Sequence, residues 1–399
     1  MKKTIFLILT TIILCGCERV KKPEPAKGDY FTVDAKKINL DDNSQLLLSD
    51  FVDTVEIIPL EFTDNCILKE IRKIVIYNDN IFLIEIDHPE AMYRFDIKGN
   101  FLNRIGARGQ GPQELLEFRD FSLNEENQIV YLLDNAKQMI FCYDFDGRFI
   151  EKININQYAS RLEYQNGFFY LFSDNPSVGD NLFSLIVRNI KGEIEKVYFP
   201  SKKYSISFSR QIFTKANDNL FFRQPMNDTI YTFDGKTLNY TYFFDFGSLR
   251  FTPDEIEDMY MNRTKSFQLL LNRERVSGID DFFQVDKWIY FNSGYKMTSF
   301  SFLYDINNQQ LKVAALFWDD MEYMFYNNKF CGQTQDAFIG VYNANYILKD
   351  IERFNRYEKE KIIPSDKKEE QVKKMKAIMR GNDPEYMNPW VIIYHLKKD

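Results

Sequence analysis

The chain has 399 residues, 45% apolar, 27% charged and 16% aromatic, with 51 Lys and Arg against 58 Asp and Glu and a formal net charge of −7. That apolar fraction supports a globular core and excludes a disordered chain or a multi-span membrane protein. The acidic balance, with no basic block, gives no electrostatic footprint for nucleic acid. The 37 Phe and 24 Tyr favour sheet over helix.

Lys2 and Lys3 precede an apolar run from Ile5 to Leu14. At about ten residues it has the length of a secretory h-region and is too short for the roughly 20 that span a bilayer as a helix. It ends in Leu14-Cys15-Gly16-Cys17, which resembles the bacterial lipobox. The resemblance implies a signal peptide over 1–16, cleavage before Cys17 and acylation of that cysteine. Several acyl chains on one residue anchor a protein firmly, since each buried CH₂ contributes about 0.8 kcal/mol. Glu18 to Gly28 carries four Lys/Arg, two Pro and little bulky apolar content, so it reads as a flexible tether. Residues 17–49 are therefore expected as tether and lead-in. The implied address is the Gram-negative envelope, in the outer membrane and on either of its sides.

Three further cysteines, Cys66, Cys142 and Cys331, are odd in number and fit no zinc spacing, so inert core thiols are expected. Cys142, between Phe141 and Tyr143, reads as a strand position.

A repeat organises the body. A strand, an Asp-x-x-Gly-like turn and a second strand recur at 95–101 (Phe-Asp-Ile-Lys-Gly-Asn-Phe), 143–149, 188–194 and 232–236, and again at 304–308 with Asn308 in place of Gly. Each is a hairpin in which the Asp caps a tight turn and the Gly or Asn takes φ > 0. Asp144-x-Asp146-Gly147 is not an EF-hand loop, because it lacks the third Asp/Asn and the closing Glu. Two more strands precede every turn, as at Ile71–Tyr77 and Asn80–Ile84. Four short strands per unit of roughly 40–50 residues is the spacing of propeller blades.

Five blades follow directly, and the sixth is split. Cys331 to Val341 supplies two strands, the final Asn388–Leu396 run a third, and the early strand Asp53–Leu60 completes the sheet, closing the ring without free edges. Thr252-Pro253-Asp254-Glu255 is a capping box opening a helix. A charged stretch contains a second helix, capped from Asp366, with an apolar stripe of Val372, Met375, Ile378 and Met379. The expectation is all-β: a six-bladed β-propeller with four-stranded antiparallel blades over 50–397, an N-terminal strand closing the last blade, and helical insertions at about 252–272 and 349–380.

The segment Phe101-Leu102-Asn103-Arg104-Ile105-Gly106-Ala107-Arg108-Gly109-Gln110-Gly111-Pro112-Gln113-Glu114 resembles the blade-joining segment of NHL-type propellers. With the lipobox and the Val55-Glu56-Ile57-Ile58-Pro59-Leu60 opening, the chain is similar to six-bladed NHL-like or TolB-like propeller lipoproteins of gut-type Gram-negative envelopes. The resemblance specifies architecture and implies no particular activity.

His88 and His395 are the chain's only histidines, too few for the His-rich metal site of an NHL-type lyase. No G-x-S-x-G elbow, P-loop or Cys/His nucleophile pair occurs. The sequence thus assigns no catalytic residue, metal or cofactor. Ca²⁺ enters only in the alternative of a propeller hydrolase or lyase, which requires carboxylates converging on the axis. A second alternative is carbohydrate binding. The reading made here is a lipid-anchored binding or scaffolding module for an envelope protein or small ligand, with no nucleic acid partner. Its binding face is expected on the inter-blade loops and the loops between second and third strands, through Asp87, His88, Arg108, Gln110, Glu114, Asp134, Asn135 and Gln138. Arg108 and Gln110 suit a carboxylate or sugar hydroxyls; a structural alternative pairs Arg108 with Asp134 of the next blade.

Overall fold

Successive residues of a strand point to opposite faces of its sheet, and the middle strands of this chain are apolar at both parities. Ile81, Phe82, Leu83 and Ile84 are all buried, as are Leu132, Leu133, Phe169 and Tyr170. Sheets built from such strands need a neighbour on each side. The computed structural model describes residues 24–41, 44–86, 89–173, 182–201, 211–216, 218–261, 274–296, 298–324, 329–359 and 365–398, and in it six four-stranded antiparallel blades form a ring.

Strands β1 (Phe31–Asp34), β2 (Gln45–Leu47) and β3 (Val52–Pro59) precede the first blade. Blade 1 is β4 (Ile71–Tyr77), β5 (Asn80–Glu85), β6 (Met92–Asp96) and β7 (Phe101–Ile105). Blade 2 is β8 (Phe118–Asn124), β9 (Ile129–Asp134), β10 (Met139–Asp144) and β11 (Phe149–Asn154). Blade 3 is β12 (Arg161–Gln165), β13 (Phe168–Phe172), β14 (Phe183–Asn189) and β15 (Ile194–Pro200). Blade 4 is β16 (Phe213–Ala216), β17 (Asn219–Arg223), β18 (Thr229–Asp234) and β19 (Thr237–Asp245). Blade 5 is β20 (Asp280–Val285), β21 (Trp288–Tyr295), β22 (Thr298–Asp305) and β23 (Gln310–Ala314), after which comes the short β24 (Leu316–Trp318). Blade 6 joins β25 (Gly332–Gln333), β26 (Ala337–Tyr342) and β27 (Trp390–Leu396) to β3, with Ile392 opposite Ile57. The split sixth blade and its closure by the N-terminal strand are as the sequence predicts.

The core lies between the blades. Phe82 and Ile84 face blade 2, where they meet Val130 and Leu132, while Ile81 and Leu83 face blade 6 and meet Ile339 and Ile393. In blade 2 the alternate residues Tyr131 and Leu133 turn to Phe169 and Leu171 of blade 3. The same interleaving joins blades 3 and 4, 4 and 5, and 5 and 6. Each fully buried Phe or Leu contributes roughly 1.5–3 kcal/mol, so every inter-blade seam is a stabilising core of its own. Cys142 is a buried strand residue whose thiol burial pushes up to about 12.

The repeated turns also dock blades. Asp96 Oδ1 accepts the Lys98 and Asn100 amides at 2.9 Å, Asp144 Oδ1 accepts Arg148 N at 2.8 Å, and Asn189 repeats the arrangement. Gly147 follows with φ +84°, and a Cβ there would lie 2.7 Å from the Arg104 carbonyl on the outer strand of blade 1. Gly192 stands likewise 2.6 Å from the Asn154 carbonyl of blade 2, and Gly99 is held against Pro59 of blade 6. In blade 5 the positive φ falls on Gln309 (+52°) rather than on Asn308, whose amide instead donates to Asp305 at 2.7 Å.

Two expectations change in detail. Helix α1 (Pro253–Met261) has the capping box, with Glu255 N to Thr252 Oγ1 at 3.2 Å and Thr252 N to Glu255 Oε2 at 2.9 Å; the rest of the predicted 252–272 helix lies outside the described residues. The second insertion holds two helices, α2 (Ile347–Lys359) and α3 (Ser365–Met379), the latter starting at Ser365 so that Asp366 falls in its first turn rather than at the cap. Met375 is buried, and Val372, Ile378 and Met379 pack beside it on the seam of blades 5 and 6.

The lead-in is also less free than its composition suggests. Glu24 N donates to Val197 O at 2.9 Å on blade 3, Lys27 N to Leu238 O at 2.9 Å on blade 4, and β1 adds to β19 as a parallel fifth strand. β2 pairs in parallel with β24. A polar, Pro-containing stretch gives no hairpin signal for such long-range parallel pairing, which is why it reads as tether. Cys17 and the signal segment lie outside the described residues.

Gly147→Ala is expected to destabilise the fold more than Gly167→Ala, whose position shares the positive φ (+83°) with nothing within 4 Å of the added methyl. The second change costs about 1 kcal/mol for the backbone alone and the first about 2–3 kcal/mol, because a carbonyl must move as well. Denaturant unfolding of the two variants measures the difference.

Candidate functional site

The innermost strands of the six blades are β4, β8, β12, β16, β20 and β25, and they carry in turn Lys73, Asp120, Glu163, Lys215, Gln284 and Gln333. Lys73 (8% exposed) lies between Asp120 (4%) and Glu163 (6%), its Nζ 3.2 Å from Asp120 Oδ1 and 3.2 Å from Glu163 Oε2, and it donates to the Phe121 carbonyl at 2.6 Å. Lys215 reaches the other Glu163 oxygen at 3.1 Å and the Leu123 carbonyl at 3.3 Å. Ser122 Oγ donates to Glu163 Oε1 and accepts Tyr164 N at 3.0 Å. Asp120 accepts the Leu162 and Phe121 amides at 2.9 and 2.8 Å. Gln333 finishes the circuit: its Nε2 donates to the Lys215 and Gln284 carbonyls, both at 2.9 Å, and its Oε1 accepts Gln284 N at 2.8 Å.

Two cations and two carboxylates thus balance on the axis, and the contacts run through all six blades. Burial alone would raise the pKa of Glu163, but Lys73 and Lys215, helped by Ser122, outweigh it and hold the carboxyl at about 2. Burial likewise works against the Lys73 ammonium, and the charges of Asp120 and Glu163 overcome it, leaving the pKa raised. A second polar knot joins blades 4 and 5. Arg223, 1% exposed, donates to the Gln211 and Ile279 carbonyls at 2.8 and 2.9 Å and lies 3.3 Å from Asp280, whose carboxyl burial pushes up to about 6 in spite of that partner.

Carboxylates therefore do converge on the axis, as the Ca²⁺ alternative requires, but the residues do not fit that ion. Ca²⁺ takes six to eight oxygen ligands at about 2.3–2.6 Å, and here the Lys73 ammonium stands between the two carboxylates, with both already engaged by cations and amides. Among the described residues no three His, Cys, Asp or Glu side chains form a group able to hold a metal ion.

The expected binding face divides sharply. In the loop from Gly106 to Glu117, the Glu114 carboxylate accepts Gly111 N at 2.8 Å and occupies the space that a side chain at Gly109 would need. Lys137 of blade 2 donates to the Gly111 and Glu114 carbonyls at 3.1 and 2.6 Å. Asp134 is buried and accepts Leu116 N at 2.7 Å and Lys137 N at 2.9 Å. Asn135, also buried, accepts Ala159 N at 3.0 Å, and the Gln138 backbone carbonyl takes the Ile155 and Asn156 amides. Glu114, Lys137 and Asp134 thus hold the loop to its neighbours, while Asn135 and Gln138 brace the connection from blade 2 to blade 3. Arg108 does not pair with Asp134, which serves backbone amides; it lies 3.6 Å from Glu90 of its own blade. Arg108 and Gln110 are left on the exposed crest of a loop fixed from beneath. Asp87 and His88 lie outside the described residues. His395 is a half-buried strand-face residue with Glu56 at 3.7 Å and Asp336 at 3.9 Å, beside a shallow surface depression of about 580 Å³.

The axial charges escaped the sequence reading although their strands did not. The signal was an ionisable residue in the first strand of each of the first four units, as in Leu162-Glu163-Tyr164.

The ring and its closure by pairing β27 with the N-terminal strand β3 define a six-bladed β-propeller. The chain belongs to the family described as Domain of unknown function (DUF4934), which it matches over residues 31–395. No curated protein matches it in sequence. Its fold is similar to the crystal structure of a protein from Bacteroides fragilis NCTC 9343, named as a candidate exported protein, with 16% identity, a TM-score of 0.73, and 92% of this chain and 100% of that one covered. A member of the DUF4221 family from Bacteroides vulgatus ATCC 8482 is aligned at 11% identity and a TM-score of 0.46 over 87% of this chain and 97% of that one.

Lys73→Met leaves two carboxylates sharing a buried site with one ammonium and is expected to cost about 3–5 kcal/mol, measured by guanidinium unfolding. Because the folded-state pKa of Glu163 is depressed from the ordinary 4.5 to about 2, its share of the stability is present above pH 4.5 and lost as pH falls through about 2. Glu163→Gln is expected to flatten the stability profile between those limits.

Proposed function

We propose that this protein is a lipid-anchored propeller of the cell envelope that binds a ligand or protein partner through its loop face. The observation carrying this reading is the division of labour around the axis. Charged groups at the centre are spent on one another, while the Gly106–Glu117 loop, fixed by Glu114, Lys137 and Asp134, presents Arg108 and Gln110 to solvent. A planar guanidinium on a preorganised loop favours recognition of a carboxylate, which it meets with paired hydrogen bonds. Preorganisation lowers the entropy cost of binding.

The lipobox-like Leu14-Cys15-Gly16-Cys17 supports the anchor, and the exported status in the name of the Bacteroides fragilis neighbour is consistent with it. Among the described residues no helix is long and apolar enough to cross a membrane. The Ile105-Gly106 junction supports an NHL-like ancestry of the repeat.

Affinity capture of the full chain from detergent-solubilised envelope membranes tests the reading. Arg108→Ala with Gln110→Ala is expected to lose at least about 90% of the captured partner, the effect of roughly 1.4 kcal/mol, with an unchanged melting temperature. Undiminished capture by the double variant would remove this loop from the function.

A further inference from the structure

The outer strands of blades 1 to 3 expose single aliphatic residues, Leu102, Ile150 and Ile194, which is ordinary for a protein surface. The edge of blade 4 is different. There Tyr30 and Phe31, adjacent in sequence, are 47% and 45% exposed. Tyr30 lies against Phe243 and Tyr240, with ring centroids 5.2 and 5.8 Å away, and Phe31 lies 6.4 Å from Tyr242. The guanidinium of Arg250 sits 4.7 Å over Phe243. Five aromatic rings and a cation thus share one rim. The burial that fixes β1 to the blade comes from Val33 and Ala35, so holding the strand does not require two large rings in water.

The path of the chain says what covers them. Glu24 is fixed to Val197 and paired with Lys196 on the outer strand of blade 3, and Lys27 is bonded to Leu238 on the outer strand of blade 4. Cys17 stands only seven residues before Glu24, a reach of at most about 25 Å when fully extended. An acylated Cys17 would therefore bring the rim of blades 3 and 4 to the bilayer before any other part of the ring. Tyr, with an apolar body and a polar tip, suits the headgroup layer.

Resting on the lipid-anchor reading above, we infer that the Tyr30–Phe31 rim seats in the headgroup layer of the phospholipid bilayer that holds the acyl chains. Acyl chains and rim together fix the ring at two points. Blade 1 lies opposite blade 4 in a ring of six, so this seating turns the Arg108 loop away from the lipid.

The test uses the full lipidated chain in vesicles of phosphatidylethanolamine and phosphatidylglycerol containing lipids brominated along their acyl chains. Phe31→Trp, or Tyr30→Trp should the first fold poorly, is compared with Tyr386→Trp, at a site 65% exposed beside the helical insertion of blade 6. The indole introduced at 31 or 30 is expected to lose about half of its added emission, as befits an interfacial ring, while the one at 386 loses none. Vesicle-bound protein in which neither position is quenched, or both equally, overturns the rim and leaves the anchor standing. Mass spectrometry of the N-terminal peptide separates the cases: an unacylated Cys17 overturns the anchor and this inference together.

Discussion

A small sheet that is apolar on both faces cannot exist alone, and the whole molecule follows from that constraint. Each blade hides one face against its predecessor and the other against its successor, so the first and last must meet. They meet by sharing a sheet. β3 brings Ile57 and Ile58 to the side of β27, in register with Ile392 and Val391, and blade 6 is built from both ends of the chain. The seams on either side of it, with blades 5 and 1, draw residues from β3 as well as from β26 and β27.

Closing a ring of sheets brings six inner strands together and leaves the question of what fills the middle. Here it is filled by charge. Lys73, Asp120, Glu163 and Lys215 neutralise one another, and backbone groups of neighbouring blades take their remaining hydrogen bonds. A buried ionic centre of this kind need not add stability over apolar packing, since desolvation offsets much of the attraction. What it does impose is register: Glu163 finds both lysines only if blades 1, 3 and 4 stand at the correct height. The turns at Gly99, Gly147 and Gly192 set height in the same way at the outside of the ring.

Much of this architecture was legible in the sequence because the signals are local. A self-capping Asp or Asn with a glycine after it marks a hairpin wherever it occurs, and four such strands per unit leave little choice of fold. The split blade could be read from the early strand Asp53–Leu60, which had no blade of its own, and the final Asn388–Leu396 run. What stayed hidden depends on distance in the chain. β1 joins β19 across some two hundred residues, and Lys73 meets Glu163 across three blades, with nothing nearby in sequence to announce either contact. The loop at Arg108 stands out in the sequence, yet most of the residues gathered around it brace the backbone. Composition alone does not distinguish a carboxylate that binds a ligand from one that, like Asp134, caps an amide.

The position of β27 has a temporal meaning. It lies in the interior of blade 6, between β26 and β3, yet it is made hundreds of residues after β3. A ribosome or translocon that delivers the chain from its N-terminus presents β3 hundreds of residues before its partner exists. Until Trp390–Leu396 emerges, the nascent ring is an open arc, with β3 unpaired at one tip and the free edge of β26 at the other. A copy lacking Trp390–Leu396 would remain such an arc, with the edges of β3 and β26 available to other chains.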